Sequence, residues 1–245
     1  MQAFPQLLLK GIQLNEKAHY TLWTRYNDTV SDFKPQLIDV DSTPDPSPRK
    51  SDRTRTAILN GALEFLWTRP FREMTVAELM AITGVSRSAF YQYFKDLHDL
   101  METLLQGVGE AVFAVADPWF NGEGDAAASL KRSLAGLVEV CYERGPILRA
   151  VAEASTSDER LEAAWADFLA EFDDAVSKRI EQHQAEGLIS KFDARPVAVA
   201  LNRLDASLLI HAFGRHPRSN PEPVREAITR IWMSTLYQSS YMENT

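Results

Sequence analysis

An all-α fold is what this sequence predicts, and three observations predict it. Apolar residues recur at the three-to-four-residue spacing of helices almost throughout, and no alternating run reads as a strand. Helix start and stop signals punctuate the chain from Asp52 onward. The stretch from Thr75 to Phe94, TVAELMAITGVSRSAFYQYF, carries a complete helix-turn-helix pattern.

Residues 1–40 contain apolar and aromatic side chains (Phe4, Tyr20, Trp23, Tyr26, Phe33) but no clean period. They are expected to form a poorly ordered or loosely docked extension rather than a functional arm. Asp41 to Lys50, DSTPDPSPRK, has three prolines and reads as a linker. Arg49, Lys50, Arg53 and Arg55 follow, either as phosphate contacts or as solvated charges at a helix start.

The first helix is expected over about Arg53–Trp67, with Ile58, Ala62, Phe65 and Leu66 inward. It ends before Pro70, which disfavours helix in the residue preceding it. Thr75 and Glu78 then form a Thr-x-x-Glu capping box. Val76, Leu79, Met80 and Ile82 give the short second helix its buried side. Gly84 stops that helix, because glycine tolerates the left-handed conformation. Val85 plugs the angle, Ser86 caps the third helix, and Phe90 and Phe94 anchor it inward. Its outer face carries Ser88, Tyr91, Gln92 and Lys95, with Arg87 beside them. A short helix with exposed donors near its start fits a DNA major groove.

A fourth helix starts near Asp96, with the stripe Leu97, Leu100/Met101, Leu104, Val108, Val112 and Val115, and a loop with Gly122 and Gly124 closes it. Further helices are expected at about 126–143, 146–154 and 158–186, the last capped through Thr156-x-x-Glu159. Two more span about 194–214 and 222–239, the second entered through Asn220-Pro221.

The net charge is −8 over 245 residues, but it is unevenly spread. Between Arg49 and Leu100, eight basic residues against six acidic ones leave +2, and the rest of the chain carries −10. A mildly basic module on an acidic body suits a site-specific DNA binder better than a protein that coats DNA. No apolar run approaches the roughly 20 residues of a membrane span. The start, MQAFPQLLLKG, lacks the positive region and apolar length of a secretory signal. A single cysteine, Cys141, excludes an intramolecular disulfide. A cytoplasmic protein with no membrane partner is expected. Enzyme signatures are missing: no Gly-x-Ser-x-Gly, His-Glu-x-x-His, Cys-x-x-Cys or glycine-rich phosphate loop occurs. His19, His98, His183, His211 and His216 are scattered, so neither a metal nor a cofactor is expected.

The segment Gly84-Val85-Ser86-Arg87-Ser88-Ala89-Phe90-Tyr91-Gln92-Tyr93-Phe94 resembles the TetR/AcrR family of bacterial transcriptional regulators. The family pattern is T-x-x-x-I/L-A…G-V-S-x-x-x-L/F-Y-x-H/Y-F, with one helix before it and a long helical domain after it. The C-terminal half resembles, more loosely, the mycobacterial ethionamide-resistance repressor subgroup, through EAAWADFLAEF, ALNRLDASLLIHAF and IWMSTLY.

The resemblance implies a DNA-binding domain over 52–98 and a ligand-binding and dimerisation domain over 99–245, behind an extension and linker over 1–51. Thr75 would bond a phosphate as well as its own helix. Tyr91 and Tyr93 would place hydroxyls on the DNA backbone, with Lys95 as an added charge. Arg87, Ser88 and Gln92 would face base edges, and Ala89 would pack on a thymine methyl. Ser86 belongs to the same contact segment as its cap. Where the family usually has lysine in F-x-x-K, this chain has Leu97, which implies one fewer phosphate contact.

The body has more large aromatics than packing needs: Trp119 and Phe120 close the fourth helix's loop, and Trp165, Phe168 and Phe172 form one stripe. Asn202 and Asp205 share a face of an otherwise apolar helix, and burying them costs several kcal/mol unless they are paired. Their partner is a basic residue such as Arg203 or Arg230, an interface salt bridge, or a ligand in an apolar cavity. By the resemblance, Asn202, Asp205, Trp165, Phe168 and Trp232 join Trp119 and Phe172 as pocket residues for a small apolar effector. The seams Val197/Leu201/Leu204/Leu208 and Val224/Ile228/Ile231/Thr235 are expected to pair with their twins in a homodimer. Such a dimer sets two reading helices about 34 Å apart on a double-stranded operator. The expected function is a ligand-released repressor. Two alternatives stay open: an activator, and a ligand- or partner-binding helical protein whose DNA motif has weakened.

Overall fold

In the computed structural model of the chain, which describes residues 50–237, eight α-helices follow one another and no strand occurs among those residues. They are α1 (Lys50–Thr68), α2 (Val76–Thr83), α3 (Arg87–Tyr93), α4 (Leu97–Phe120), α5 (Ala126–Ala154), α6 (Glu159–Ala185), α7 (Ala194–Phe213) and α8 (Pro221–Leu236). The expected extension and linker lie outside the described residues, except that helix begins already at Lys50.

Local chemistry sets most of the boundaries. The Asp96 carboxylate accepts from the Asp99 amide at 2.8 Å and starts α4; Asn220 accepts from the Glu222 amide at 3.1 Å and starts α8 with Pro221 in the first turn. The start of α6 departs from expectation. Asp158 caps it, accepting from the Leu161 amide at 3.0 Å, while the Thr156 hydroxyl donates back to the Glu153 carbonyl at the end of α5. A carboxylate is as good a cap as threonine and adds charge at the positive end of the helix.

A larger departure concerns residues 143–146, where a break was expected and α5 runs straight through Pro146. Proline has no amide to give the carbonyl of Tyr142 one turn back. That carbonyl instead accepts from the Arg218 guanidinium at 2.7 Å, so nothing is left unpaired. Gly145 belongs to the same solution: a Cβ there would lie 2.5 Å from the Phe213 carbonyl oxygen, so only glycine lets α5 approach the end of α7 this closely.

Ile58, Ala62, Phe65 and Leu66 of α1 are all buried against Leu79, Phe90 and Phe94. Ile82, expected inside, is 45% exposed, while Thr83 takes the half-buried side of the last turn against Gly61. Trp119, expected in a loop, is buried in the last turn of α4. The seams expected on α7 and α8 split. Leu201 and Ile228 are buried within this chain, whereas Val197, Leu204, Leu208, Val224 and Ile231 are only half-buried and Thr235 is exposed. The last residues expected in the final helix, 238 and 239, lie outside the described residues, and Tyr237 caps α8. The expected boundary at 98–99 falls inside the first turn of α4, which therefore belongs to both halves.

Candidate DNA-reading helix and buried cavity

Two features assemble from the expected residues, one at each end of α4. At the first, Gly84 takes the left-handed conformation (φ 68°) and its amide closes α2 on the Met80 carbonyl at 2.9 Å. Ser86 caps α3 through the Ala89 amide at 3.2 Å and shares a hydrogen bond with the Ser88 hydroxyl at 3.0 Å. Phe90 and Phe94 lie inward with ring centroids 5.7 Å apart. Arg87, Ser88, Tyr91 and Gln92 are left exposed, Ala89 and Tyr93 half-buried. The Arg87 guanidinium stands 5.9 Å from the Tyr91 ring centroid, so cation and ring are held on the same outward face.

Around this helix the phosphate candidates are placed unevenly. The Thr75 hydroxyl accepts from the Glu78 amide at 3.2 Å and donates to the Glu78 carboxylate at 2.9 Å, so a phosphate contact has to displace that carboxylate. Arg69 holds Glu78 from the other side at 2.8 Å. Both bonds keep the Glu78 carboxyl below its ordinary range, the Arg69 bond most. Lys95 is exposed, while Leu97 is half-buried against the core. Arg55 of α1 leans over the Phe94 ring at 5.7 Å, beside the reading helix.

At the other end, a cavity of about 760 Å³, its mouth included, opens between α4, α5, α6, α7 and α8. All seven residues expected to form a pocket line it: Trp119, Trp165, Phe168, Phe172, Asn202, Asp205 and Trp232. Sequence reasoning missed its aliphatic walls, Val108 and Val112 of α4 and Leu134 and Leu137 of α5, because their spacing is that of any core residue. It also missed Cys141, which lines the cavity as a buried thiol whose pKa burial pushes up to about 12.

The polar partners are not the expected ones. Arg203 forks onto Asp173 of α6, with bonds of 3.2 and 2.9 Å, and the Asn202 amide donates to the same carboxylate at 2.9 Å. Neither engages Asp205. The Asp205 Oδ2 accepts from the Trp232 indole at 2.9 Å, and its Oδ1 is buried without a partner among the described residues.

Burial therefore pushes the Asp205 carboxyl up to about 8, and the Trp232 bond only partly opposes it. The folded state holds this proton at pH values where the unfolded chain, with an ordinary value of 3.8, has lost it. Stability is expected to fall as pH rises from about 4 to about 8, by at most about 1.4 kcal/mol per pH unit from this group. His183 acts oppositely. Burial lowers it from 6.5, so it favours the fold above that value and weakens it in acid. The Asp205 slope is thus expected uncontested between 6.5 and 8. Urea unfolding across that window checks it, and Asp205→Asn should flatten the profile.

Behind the cavity runs a buried polar chain. The Trp119 indole donates to the Tyr237 hydroxyl at 2.9 Å, and that hydroxyl lies 2.7 Å from His183 Nδ1. It joins the ends of α4 and α8 to α6. Trp119 also meets Trp232 edge-on at 5.8 Å.

The start of α6 grips the start of α4. Arg160 reaches the Asp96 carboxylate at 3.0 Å and forks onto Glu102 at 2.5 and 2.9 Å, while His98 bonds the Asp158 cap at 2.6 Å. Further along, α6 supplies Trp165, Phe168 and Phe172 to the cavity. Among the described residues no helix is long and apolar enough to cross a membrane, and no cluster of three or more metal-ligating side chains occurs.

Comparison with known proteins finds matches for both halves of the described chain. Residues 58–104 match the family "Bacterial regulatory proteins, tetR family", and residues 130–238 match "Transcriptional regulator EthR, C-terminal domain". The HTH-type transcriptional regulator EthR of Mycolicibacterium smegmatis is 26% identical over 193 residues, which cover 76% of this chain and 87% of that one. Its namesake from Mycobacterium tuberculosis is 25% identical over 190 residues, covering 76% and 88%. In fold, the chain is similar to a bacterial regulatory protein in the tetR family from Rhodococcus RHA1, with a TM-score of 0.62 at 18% identity over 77% of this chain and 98% of that one.

Proposed function

The chain belongs to the TetR family of DNA-binding transcriptional regulators, with an EthR-like C-terminal domain, and from that premise we propose that it is a homodimeric repressor released from its operator by a small ligand in the α4–α8 cavity. Residues 52–98 then read DNA and residues 99–245 sense and dimerise. The family is one of regulators, not of enzymes.

One observation carries the proposal: α4 begins after only three intervening residues beyond the reading helix and continues into the cavity wall through Val108, Val112, Ala116, Trp119 and Phe120. A helix of 24 residues is roughly 36 Å long. Tilting it by about 5° at the cavity moves its far end by roughly 3 Å over that length. Two reading helices set for grooves about 34 Å apart no longer fit when each moves by that much. An occupant that wedges α4 from α6 would apply such a tilt, since α6 both lines the cavity and holds the start of α4 through Arg160. Moving operator occupancy from 99:1 to 1:99 requires the ligand to prefer the released state by about 5.5 kcal/mol.

The half-buried residues Val197, Leu204 and Leu208 of α7 and Val224 and Ile231 of α8 supply the dimer seam. Leu201 and Ile228 are excluded from it by their place in the core.

The test is a shift assay on the DNA upstream of the chain's own gene, titrated with salt and then with small apolar compounds. A sequence-specific, salt-sensitive band that a compound dissolves, together with a change in Trp165 and Trp232 emission, is expected. No specific band overturns the DNA reading. Changed emission with an undisturbed band overturns release while leaving binding intact. Transcription that falls rather than rises when the protein is withheld identifies an activator.

A further inference from the structure

We propose that the cavity takes a hydrophobic organic cation, with Asp205 as its counter-ion and the tryptophan and phenylalanine rings around it as its cage. This rests on the cavity being the effector site and adds the charge and class of the occupant.

Three features of the site converge on a cation. First, the Asp205 Oδ1 is buried in the cavity wall with no donor among the described residues, on a side chain only 5% exposed. An ionised carboxylate there would cost the fold stability unless a cation compensated it, and an apolar side chain of similar size would not. The compensating group is not supplied by the neighbouring basic residue, because Arg203 is forked onto Asp173. Second, several aromatic rings line the cavity, in both edge-on and stacked pairs. Trp119 meets Trp232 at 90°, Trp165 lies flat on Phe168 at 5.4 Å, and Phe168 meets Phe172 edge-on at 5.2 Å. Aromatic faces attract alkylammonium groups, most strongly where water is excluded. Third, Asp205 and Cys141 are the two titratable side chains lining the cavity, and the Cys141 thiol stays protonated. No second charge there competes for the cation or recruits an anion.

The charges balance through one proton. In the empty cavity near neutral pH the Asp205 carboxyl holds its proton. A quaternary ammonium that docks beside it keeps its own charge, and the carboxyl proton leaves to solvent, so the pair inside is neutral. A neutral ligand with a carbonyl would accept from that same proton without releasing it, which makes proton release a means of telling the two occupants apart.

The experiment uses the full chain and three matched probes: phenylbutyltrimethylammonium, its neutral isostere with a quaternary carbon in place of nitrogen, and phenylvalerate. Binding is followed by tryptophan emission, and proton release by calorimetry in buffers of differing ionisation enthalpy. The cation is expected to bind at least about tenfold tighter than the isostere and to release close to one proton, with phenylvalerate weakest. Asp205→Asn keeps an acceptor for the Trp232 indole; it should weaken the cation by roughly 30-fold or more and leave the isostere within about threefold. Asp205→Glu should restore part of the loss, which separates charge from folding. An isostere or phenylvalerate that binds as tightly as the cation, or a cation indifferent to Asp205→Asn, overturns the proposal while keeping the effector site. If no probe moves the emission, the effector-site reading falls with it.

Discussion

Arg87→Ala is expected to reduce operator affinity by at least roughly 30-fold while leaving weak, salt-sensitive binding to unrelated DNA nearly unchanged. Arg87 is the first residue of α3, exposed, and held outward over Tyr91. A guanidinium placed at a helix start in a major groove bonds guanine through two donors, worth about 1–3 kcal/mol per site. The proposed dimer loses it in both half-sites, so the expected total is about 2–6 kcal/mol. Lys95→Ala should behave differently. It should weaken binding to all sequences alike and lower the salt slope by about one charge per half-site. Anisotropy titrations at several salt concentrations, on operator and scrambled DNA, separate the two patterns. An Arg87→Ala protein that still discriminates would move base reading to Ser88 and Gln92.

Phe90→Ala is expected to have the largest effect on stability, about 3–5 kcal/mol, the range for emptying a buried aromatic site. Phe90 is completely buried and holds α3 down with Phe94. Its loss leaves a seven-residue helix with Phe94 as its remaining aromatic anchor, and so short a helix does not persist on propensity alone. Urea unfolding should register the loss, and operator binding should vanish at every salt concentration. Retained operator affinity would show that α3 is held from its two caps.

The reading helix was legible because its determinants are local. Thr75, Gly84, Ser86, Phe90 and Phe94 each act on neighbours within four residues, so spacing alone reveals them. The cavity's aromatics were legible as an excess, because large rings set among Asn202 and Asp205 do not look like ordinary core. Who pairs with whom was not legible. Arg203 stood two residues from Asp205 in sequence yet engages Asp173, 30 positions away, because on a helix residues two apart point to different sides. The passage of α5 through Pro146 was hidden for the same reason. Its compensation comes from Arg218, 76 residues downstream of the freed Tyr142 carbonyl. Thr156 matched the capping pattern, but the better-placed carboxylate of Asp158 took the helix end.

The grip of α6 on α4 has a consequence for anyone recombining such proteins. Asp96 caps α4 and also receives Arg160, and Asp158 caps α6 and also receives His98. A chimera that joins a foreign reading head to this body after Phe94 keeps all four residues and both contacts between the starts of α4 and α6. One spliced a single turn later discards Asp96 and His98 from this chain, leaving Arg160 with Glu102 alone and Asp158 with the Leu161 amide alone. Biosensors assembled from this scaffold should therefore be cut on the reading-head side of Asp96.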